Sequence, residues 1–277
     1  MGKKTVRPKA KGKAKGKAKV VKGVVKRSKA KAKSESGTAA LSARAKRITN
    51  WLDRHLEPSV PRLPLECKYR HSGISVGSAC SGWCSELFAL ESMKVSFTSC
   101  FCCDTDPHVA TLLPHLHDRH LFISDVTSDE FFNRAPAVDF FMAGFPCQSF
   151  SPAGQGRGAQ DPRGSIVFFI IRWLELRQPR CFLLENVEGL YTRHPDVLLL
   201  IMEMLGKMRS STGKELYKVS WKVLNARTHS GLPQNRSRLF IAGVRADAAR
   251  SQMKWPGEAP ALSGSGLVLG AVKQANS

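Results

Sequence analysis

A cysteine, a carboxylate and two arginines occupy three short stretches that could act on one substrate. Cys147 lies in Ala143-Gly144-Phe145-Pro146-Cys147-Gln148-Ser149-Phe150-Ser151-Pro152-Ala153-Gly154, after a proline that fixes the backbone and between glycines. A free thiol, with a pKa of about 8.5, is a few per cent thiolate at neutral pH, and thiolate is a strong nucleophile. A lone loop cysteine is more often structural, so its companions decide its meaning. Glu185, in Phe182-Leu183-Leu184-Glu185-Asn186-Val187, follows an apolar run. A carboxylate there either points into a cleft or serves the N-terminus of a following helix. Arg236 and Arg238, in Gly231-Leu232-Pro233-Gln234-Asn235-Arg236-Ser237-Arg238-Leu239-Phe240, are spaced to face one side of a strand. They either clamp a phosphate or carboxylate or stay solvated.

Such side chains need elements to hold them, and the apolar pattern supplies candidates from residue 73 onward. Ile74–Val76, Val95–Cys103, His120–Ile123, Val138–Met142, Cys181–Leu184, Leu216–Leu224 and Arg238–Val244 read as strands. Glu86–Met93, a segment starting at Pro107, Ser165–Arg177 and Val197–Met208 read as helices. Strands alternating with helices predict an α/β fold, a mainly parallel sheet with helices on both faces. Sheets of this kind bind ligands at the carboxyl ends of their strands, where the three stretches fall.

Charge is unevenly placed along the 277 residues. The chain carries a net +21, and residues 1–33 hold 15 of its 43 Lys and Arg and no acid. The remainder has 28 basic and 22 acidic residues, a net +6. The first segment alternates Lys with Ala and Gly and lacks aromatics, so it reads as disordered. Its charge suits a polyanion through counterion release, and it suits a nuclear address. Four regions are expected: a basic tail and linker over 1–43, a short helix and Pro-rich lead-in over 44–72, a catalytic core over 73–247, and a connector over 248–277. No apolar run is long enough to span a bilayer, which excludes a membrane-spanning reading. The eight cysteines are irregularly clustered, a reducing-compartment pattern. Cys100, Cys102 and Cys103 lack zinc-finger spacing and read as buried free thiols, and no metal is expected.

Taken together, the stretches resemble the cytosine-C5 DNA methyltransferase family over about residues 73–260. The residues GFPCQSFSPAGQ at 144–155, DPRG at 161–164, ENV at 185–187 and PQNRSR at 233–238 match its motifs in type, order and spacing. The GFPCQ spelling is closer to the bacterial-type DNA enzymes than to the tRNA-modifying branch. The resemblance implies a Rossmann-like S-adenosylmethionine-dependent fold and the following roles. Cys147 adds to cytosine C6, Glu185 bonds N3 and the exocyclic amine, and Arg236 and Arg238 orient O2. Asn186, Gln148 and Gln234 shape the site. Gly82 lies in the donor loop, Asp104 meets the ribose hydroxyls, Asp125 meets the adenine amine, and Pro146 packs near the donor. Taken singly, each acid could equally be a loop-exposed charge.

The sequence also departs from the family. In Ser78-Ala79-Cys80-Ser81-Gly82-Trp83-Cys84-Ser85-Glu86, Cys84 and Ser85 replace later glycines of the donor loop and Ser78 replaces its aspartate. The family's target-recognition region and late motif have no counterpart. Two classes of function therefore stand open. One is an active enzyme on DNA, or on RNA, with recognition from the basic tail or a partner chain. The other is a non-catalytic nucleic-acid-binding or regulatory relative.

Overall fold

The computed structural model describes residues 73–116, 121–146 and 162–260. The expectations for residues 1–72 and 261–277 lie outside the described residues. The elements are β1 (Ile74–Ala79), α1 (Ser85–Ser92), β2 (Phe97–Cys103), α2 (Pro107–Leu116), β3 (Leu121–Ile123), α3 (Asp129–Arg134), β4 (Phe140–Gly144), α4 (Pro162–Arg177), β5 (Cys181–Val187), α5 (Gly189–Thr192), α6 (Pro195–Lys207), β6 (Tyr217–Asn225), α7 (Ala226–His229) and β7 (Ser237–Arg245). They form one seven-stranded sheet in the order β3-β2-β1-β4-β5-β7-β6. The pairs from β3 through β5 are parallel, and β7 runs antiparallel between β5 and β6. The α/β, Rossmann-like expectation holds. The chain winds outward from β1 to β3, then returns to place β4 beside β1. The carboxyl ends of β1 and β4 therefore open a crevice at this reversal.

Each face of the sheet has its own core. On one face Phe101, Phe141 and Phe182 meet Trp173 of α4 and the apolar stripe of α6, Val197, Leu198, Ile201 and Leu205. Trp173 stacks on Phe141 at 4.5 Å and meets Phe101 edge-on at 5.5 Å. On the other face Leu87 and Leu90 of α1 join Val109 and Leu113 of α2 over Val76 and Cys102. Two glycines seat the rings. A Cβ at Gly77 would lie 2.2 Å from the Phe101 ring, and one at Gly243 would lie 2.3 Å from Phe182.

Several boundaries differ from the sequence reading, each for a local reason. Strand β2 starts at Phe97 rather than Val95, because Lys94 is left-handed (φ 56°) and Val95 N–H bonds Leu90 O in closing α1. Strand β4 starts at Phe140 rather than Val138. The Asp139 carboxylate accepts from Ser75 N–H at 2.9 Å and Ser75 Oγ at 2.8 Å, while Asp139 N–H donates to Ser75 O at 3.0 Å, so a side chain takes the Ser75 N–H that a regular ladder pairs with a carbonyl. Strand β5 continues to Val187 because β7 pairs with it that far, Val187 opposite Arg238. Glu185 and Asn186 thus lie within the strand, not after it. Helix α4 begins at Pro162, three residues ahead of Ser165, with proline in the first turn. Helix α3 was not read from the sequence. Ser128 caps it, its Oγ accepting from Phe131 N–H at 3.2 Å, and the buried Arg177 donates to the carbonyls of Ala135, at 3.1 Å, and Phe132.

The cysteines require one correction. Cys102 and Cys103 are buried free thiols, as read, but Cys100 is disulfide-bonded. The other described cysteines, Cys80, Cys84, Cys102, Cys103 and Cys181, are all free. A disulfide needs two Cβ atoms about 3.5–4.5 Å apart, a proximity in space that spacing along the chain does not encode.

Candidate active site

A cavity of about 330 Å³ opens at the carboxyl ends of the parallel strands. Every turn at that end contributes: Cys80 and Gly82 after β1, Asp104 after β2, Asp125 after β3, Phe145 and Pro146 after β4. Glu185 comes from β5, and Arg236 and Arg238 from the start of β7. Seven of the residues expected at the site therefore line one cavity, and Asn186 braces it from behind. Gln234 lines a neighbouring groove instead. Cys147 and Gln148 lie outside the described residues; Cys147 is bonded in sequence to Pro146, which lines the cavity.

The loop after β1 is held by the end of β2. Gly82 N–H donates to Asp104 Oδ2 at 2.8 Å, and Ser81 N–H donates to Cys103 O at 3.1 Å. Cys103 N–H in turn donates to Ser81 Oγ at 3.1 Å. Cys80, Gly82 and Cys84 are all left-handed, with φ 51°, 49° and 51°. That conformation suits glycine, and the two cysteines adopt it at a cost of roughly 1–3 kcal/mol each. The loop thus keeps a tight turn where the sequence departs from glycine, fastened through Asp104 and Cys103. Asp125 Oδ1 accepts from Thr127 N–H at 2.7 Å and Thr127 Oγ1 at 2.8 Å. Two carboxylates on neighbouring strand ends, beside Val126, Phe145 and Ile166, can accept from a diol and an amine of a ligand that also has an apolar part.

The other side of the cavity is a carboxylate and two cations. Arg238 Nε lies 2.8 Å from Glu185 Oε1, with both side chains partly buried. Burial raises the Glu185 carboxyl above the ordinary carboxylate range, against the opposing pull of Arg238 and Arg236. A carboxyl so placed can donate or accept a proton on a polar ring. Arg236 is exposed at the mouth. Asn186 is buried; its Nδ2 donates to Phe145 O at 3.0 Å and its Oδ1 accepts from Val187 N–H at 2.8 Å. It thereby ties β5 to the segment that leads into Cys147.

The thiolate form is disfavoured at the other cysteines of the cavity. Burial, then Asp104 and Asp125, push the Cys80 thiol up to about 12, and burial raises Cys103 as well. Among the described residues no group of three His, Cys, Asp or Glu could hold a metal ion, and no helix is long and apolar enough to cross a membrane.

The sequence reading missed Asn225. Its Nδ2 donates to Asn235 Oδ1 at 2.7 Å and Ser237 Oγ at 2.8 Å, and Ala226 N–H donates to Arg236 O at 3.1 Å. Asn225 thus sets the turn that carries both arginines. It also caps α7, accepting from Arg227 N–H at 2.9 Å, and an Asn closing an apolar strand was the signal that could have found it.

Comparison with known proteins bears on the family and the fold. The model of a family described as C-5 cytosine-specific DNA methylase matches residues 80–264. The Type II methyltransferase M.NlaIV of Neisseria lactamica is 36% identical over 166 residues, covering 56% of this chain and 36% of that protein. M.BanI of Aneurinibacillus aneurinilyticus is 42% identical over 113 residues, 39% of this chain and 24% of that one. The matches thus span about a third or less of these relatives' length. Among solved structures, the Entamoeba histolytica methyltransferase EhMeth superposes with a TM-score of 0.52 at 16% identity, over 69% of this chain and 58% of that one. A DNMT2 variant of Spodoptera frugiperda gives 0.51 at 18% identity, over 69% and 55%. These two likenesses show the shared fold.

Proposed function

This chain belongs to the C-5 cytosine-specific DNA methylases, and from that premise we propose that it transfers a methyl group from S-adenosylmethionine to C5 of cytosine in DNA through a covalent Cys147 adduct. The observation that carries the reading is the Glu185–Arg238 pair at 2.8 Å, lining the same cavity as Asp104 and Asp125. The donor, when bound, supplies an electrophilic methyl on a sulfonium. The residues present fit it. Asp104 would accept from the ribose hydroxyls and Asp125 from the adenine amine, while Val126, Phe145 and Ile166 offer apolar contact. The cavity falls within the usual range of about 300–1,000 Å³ for such sites.

Cytosine C5 is a poor nucleophile, and the chain's task is to change that. The Cys147 thiolate adds to C6, which breaks the C5–C6 double bond and makes C5 enamine-like. Glu185, kept above the ordinary carboxylate range, supplies a proton or hydrogen bond to N3 as charge develops there. Arg238 fixes the Glu185 carboxyl, and Arg236 at the mouth is free to meet O2. Once C5 carries the methyl, its proton leaves to water, the double bond re-forms and Cys147 departs as thiolate. Asn186 and Pro146 position the nucleophile's segment. In a duplex the base must first leave the stack, at a cost of a few kcal/mol. The charge of residues 1–33 supports a role as a nucleic-acid anchor and a nuclear destination. The span of the matches supports recognition of the target site by a segment or partner beyond this core.

The test is mechanism-based trapping. The protein is incubated with labelled S-adenosylmethionine and DNA or RNA carrying 5-fluorocytosine, whose fluorine cannot leave as the proton does. A denaturation-stable adduct on DNA, absent in Cys147→Ala, is the expected result. An adduct on RNA alone moves the substrate to RNA, and no adduct on either from folded protein points to a non-catalytic relative.

A further inference from the structure

Beside the cavity lies a second, wider groove of about 580 Å³, of which the mechanism above uses only Arg236 and Arg238 at the shared edge. One wall is the turn from β5 into α5, with Thr192 and Arg193; the other is the segment Gln234 to Arg238. The two hollows share Val187, Arg236 and Arg238, so one runs into the other. We propose that this groove binds the phosphodiester backbone of the DNA strand whose cytosine enters the cavity, with Arg193 as its principal phosphate ligand. This rests on the DNA-methylating reading.

Charge, order and position carry the inference. Arg193 and Arg236 are exposed, and neither guanidinium has an ion pair or hydrogen bond among the described residues. Arg238 is engaged with Glu185, and one acid, Glu188, lines the groove, so the two free guanidiniums leave it net positive. The remaining lining is polar side chains, among them Gln234, Asn235 and Ser237, suited to phosphate and sugar oxygens. Both walls are braced without a ligand. Leu190 is fully buried, the Tyr191 ring sits 5.0 Å from Trp221, and Arg193 N–H donates to Gly189 O at 2.9 Å. Asn225 holds the facing wall through Asn235 and Ser237. A base drawn into the cavity brings its own flanking phosphates to the mouth, where the groove begins.

The full-length chain is titrated with a short cytosine-containing duplex over a salt series, as wild type, Arg193→Gln, Arg193→Lys and Arg250→Gln. Arg250 is exposed and follows β7 at the opposite end of the sheet from the cavity. Loss of one phosphate contact should lower the salt slope by about 0.9 and affinity by about fivefold at 0.15 M salt in Arg193→Gln. Arg193→Lys should keep the slope, and Arg250→Gln should match wild type. Wild-type slope and affinity in Arg193→Gln would overturn the groove alone, as would equal losses in the Gln and Lys variants, since the charge would then not be what binds. A wild-type chain that binds no duplex even at low salt would overturn both the groove and the DNA reading, whereas a persisting wild-type adduct on fluorocytosine DNA would leave the latter standing.

Discussion

Glu185 has to satisfy two demands at once. In the proposed reaction it acts on an uncharged ring from a half-buried cavity, and burial raises its carboxyl above the ordinary range despite Arg238 and Arg236. A carboxyl raised by folding holds its proton more tightly in the folded chain than in the unfolded one. The folded state is therefore favoured fully below the ordinary glutamate value of about 4.3, and that contribution is lost as pH rises through the raised value. Glu185→Gln should thus lower methyl transfer by about 10²–10⁴-fold, the span of general acid–base contributions. The same variant should melt higher than wild type at pH 8 but not at pH 4, read by thermal unfolding. A variant that loses activity together with stability at both pH values would instead mark Glu185 as a structural residue. Glu86, half-buried beside Ser78 and also raised by desolvation, should show the pH effect on stability in Glu86→Gln without belonging to the cavity.

The strands and their turns decide where these groups stand, and most of that was readable in advance. Apolar runs marked every described strand, since a sheet covered on both faces needs near-continuous hydrophobic segments. The motif residues fell at the strand ends for the same reason that the architecture binds ligands there. What the sequence did not disclose depends on side-chain bonds across the chain. The Asp139 carboxylate taking the Ser75 N–H, Asn225 organising the arginine turn, and the added residues of β5 that depend on β7 are long-range facts. The loop after β1 was read as doubtful because glycines were missing, yet Cys80 and Cys84 adopt the left-handed turn all the same, since Asp104 and Cys103 fasten it. At this scale Gly77 is the sharpest test of packing. Its added Cβ would meet the Phe101 ring at 2.2 Å in the middle of the sheet. Gly77→Ala should cost about 1–3 kcal/mol, the range of overpacked cores, seen as a lower urea midpoint with an unchanged slope.

Along the sequence, most of the basic excess and the cavity residues fall in different stretches. The basic excess is concentrated in residues 1–33, and the cavity belongs to the region matched by the family. Removing residues 1–33 should weaken duplex binding and flatten its dependence on salt while leaving donor binding intact, measured by titration with each ligand separately. An unchanged salt slope would assign the electrostatic anchor to the folded region instead. The placement of β7 has one further consequence, for the order of events during synthesis. Among the described residues strand β6 pairs only with β7, and β7 lies between it and β5. On a growing chain, β6 is made first and has nothing to pair with, and the edge of β5 stays open until Ser237 to Arg245 arrive. Strands β6 and β7 can therefore dock together as a hairpin, and the same docking event delivers Arg238 to Glu185. Until that moment the nascent chain holds Glu185 without its cation, so the closing of the Glu185–Arg238 pair is a clock for the docking of β7.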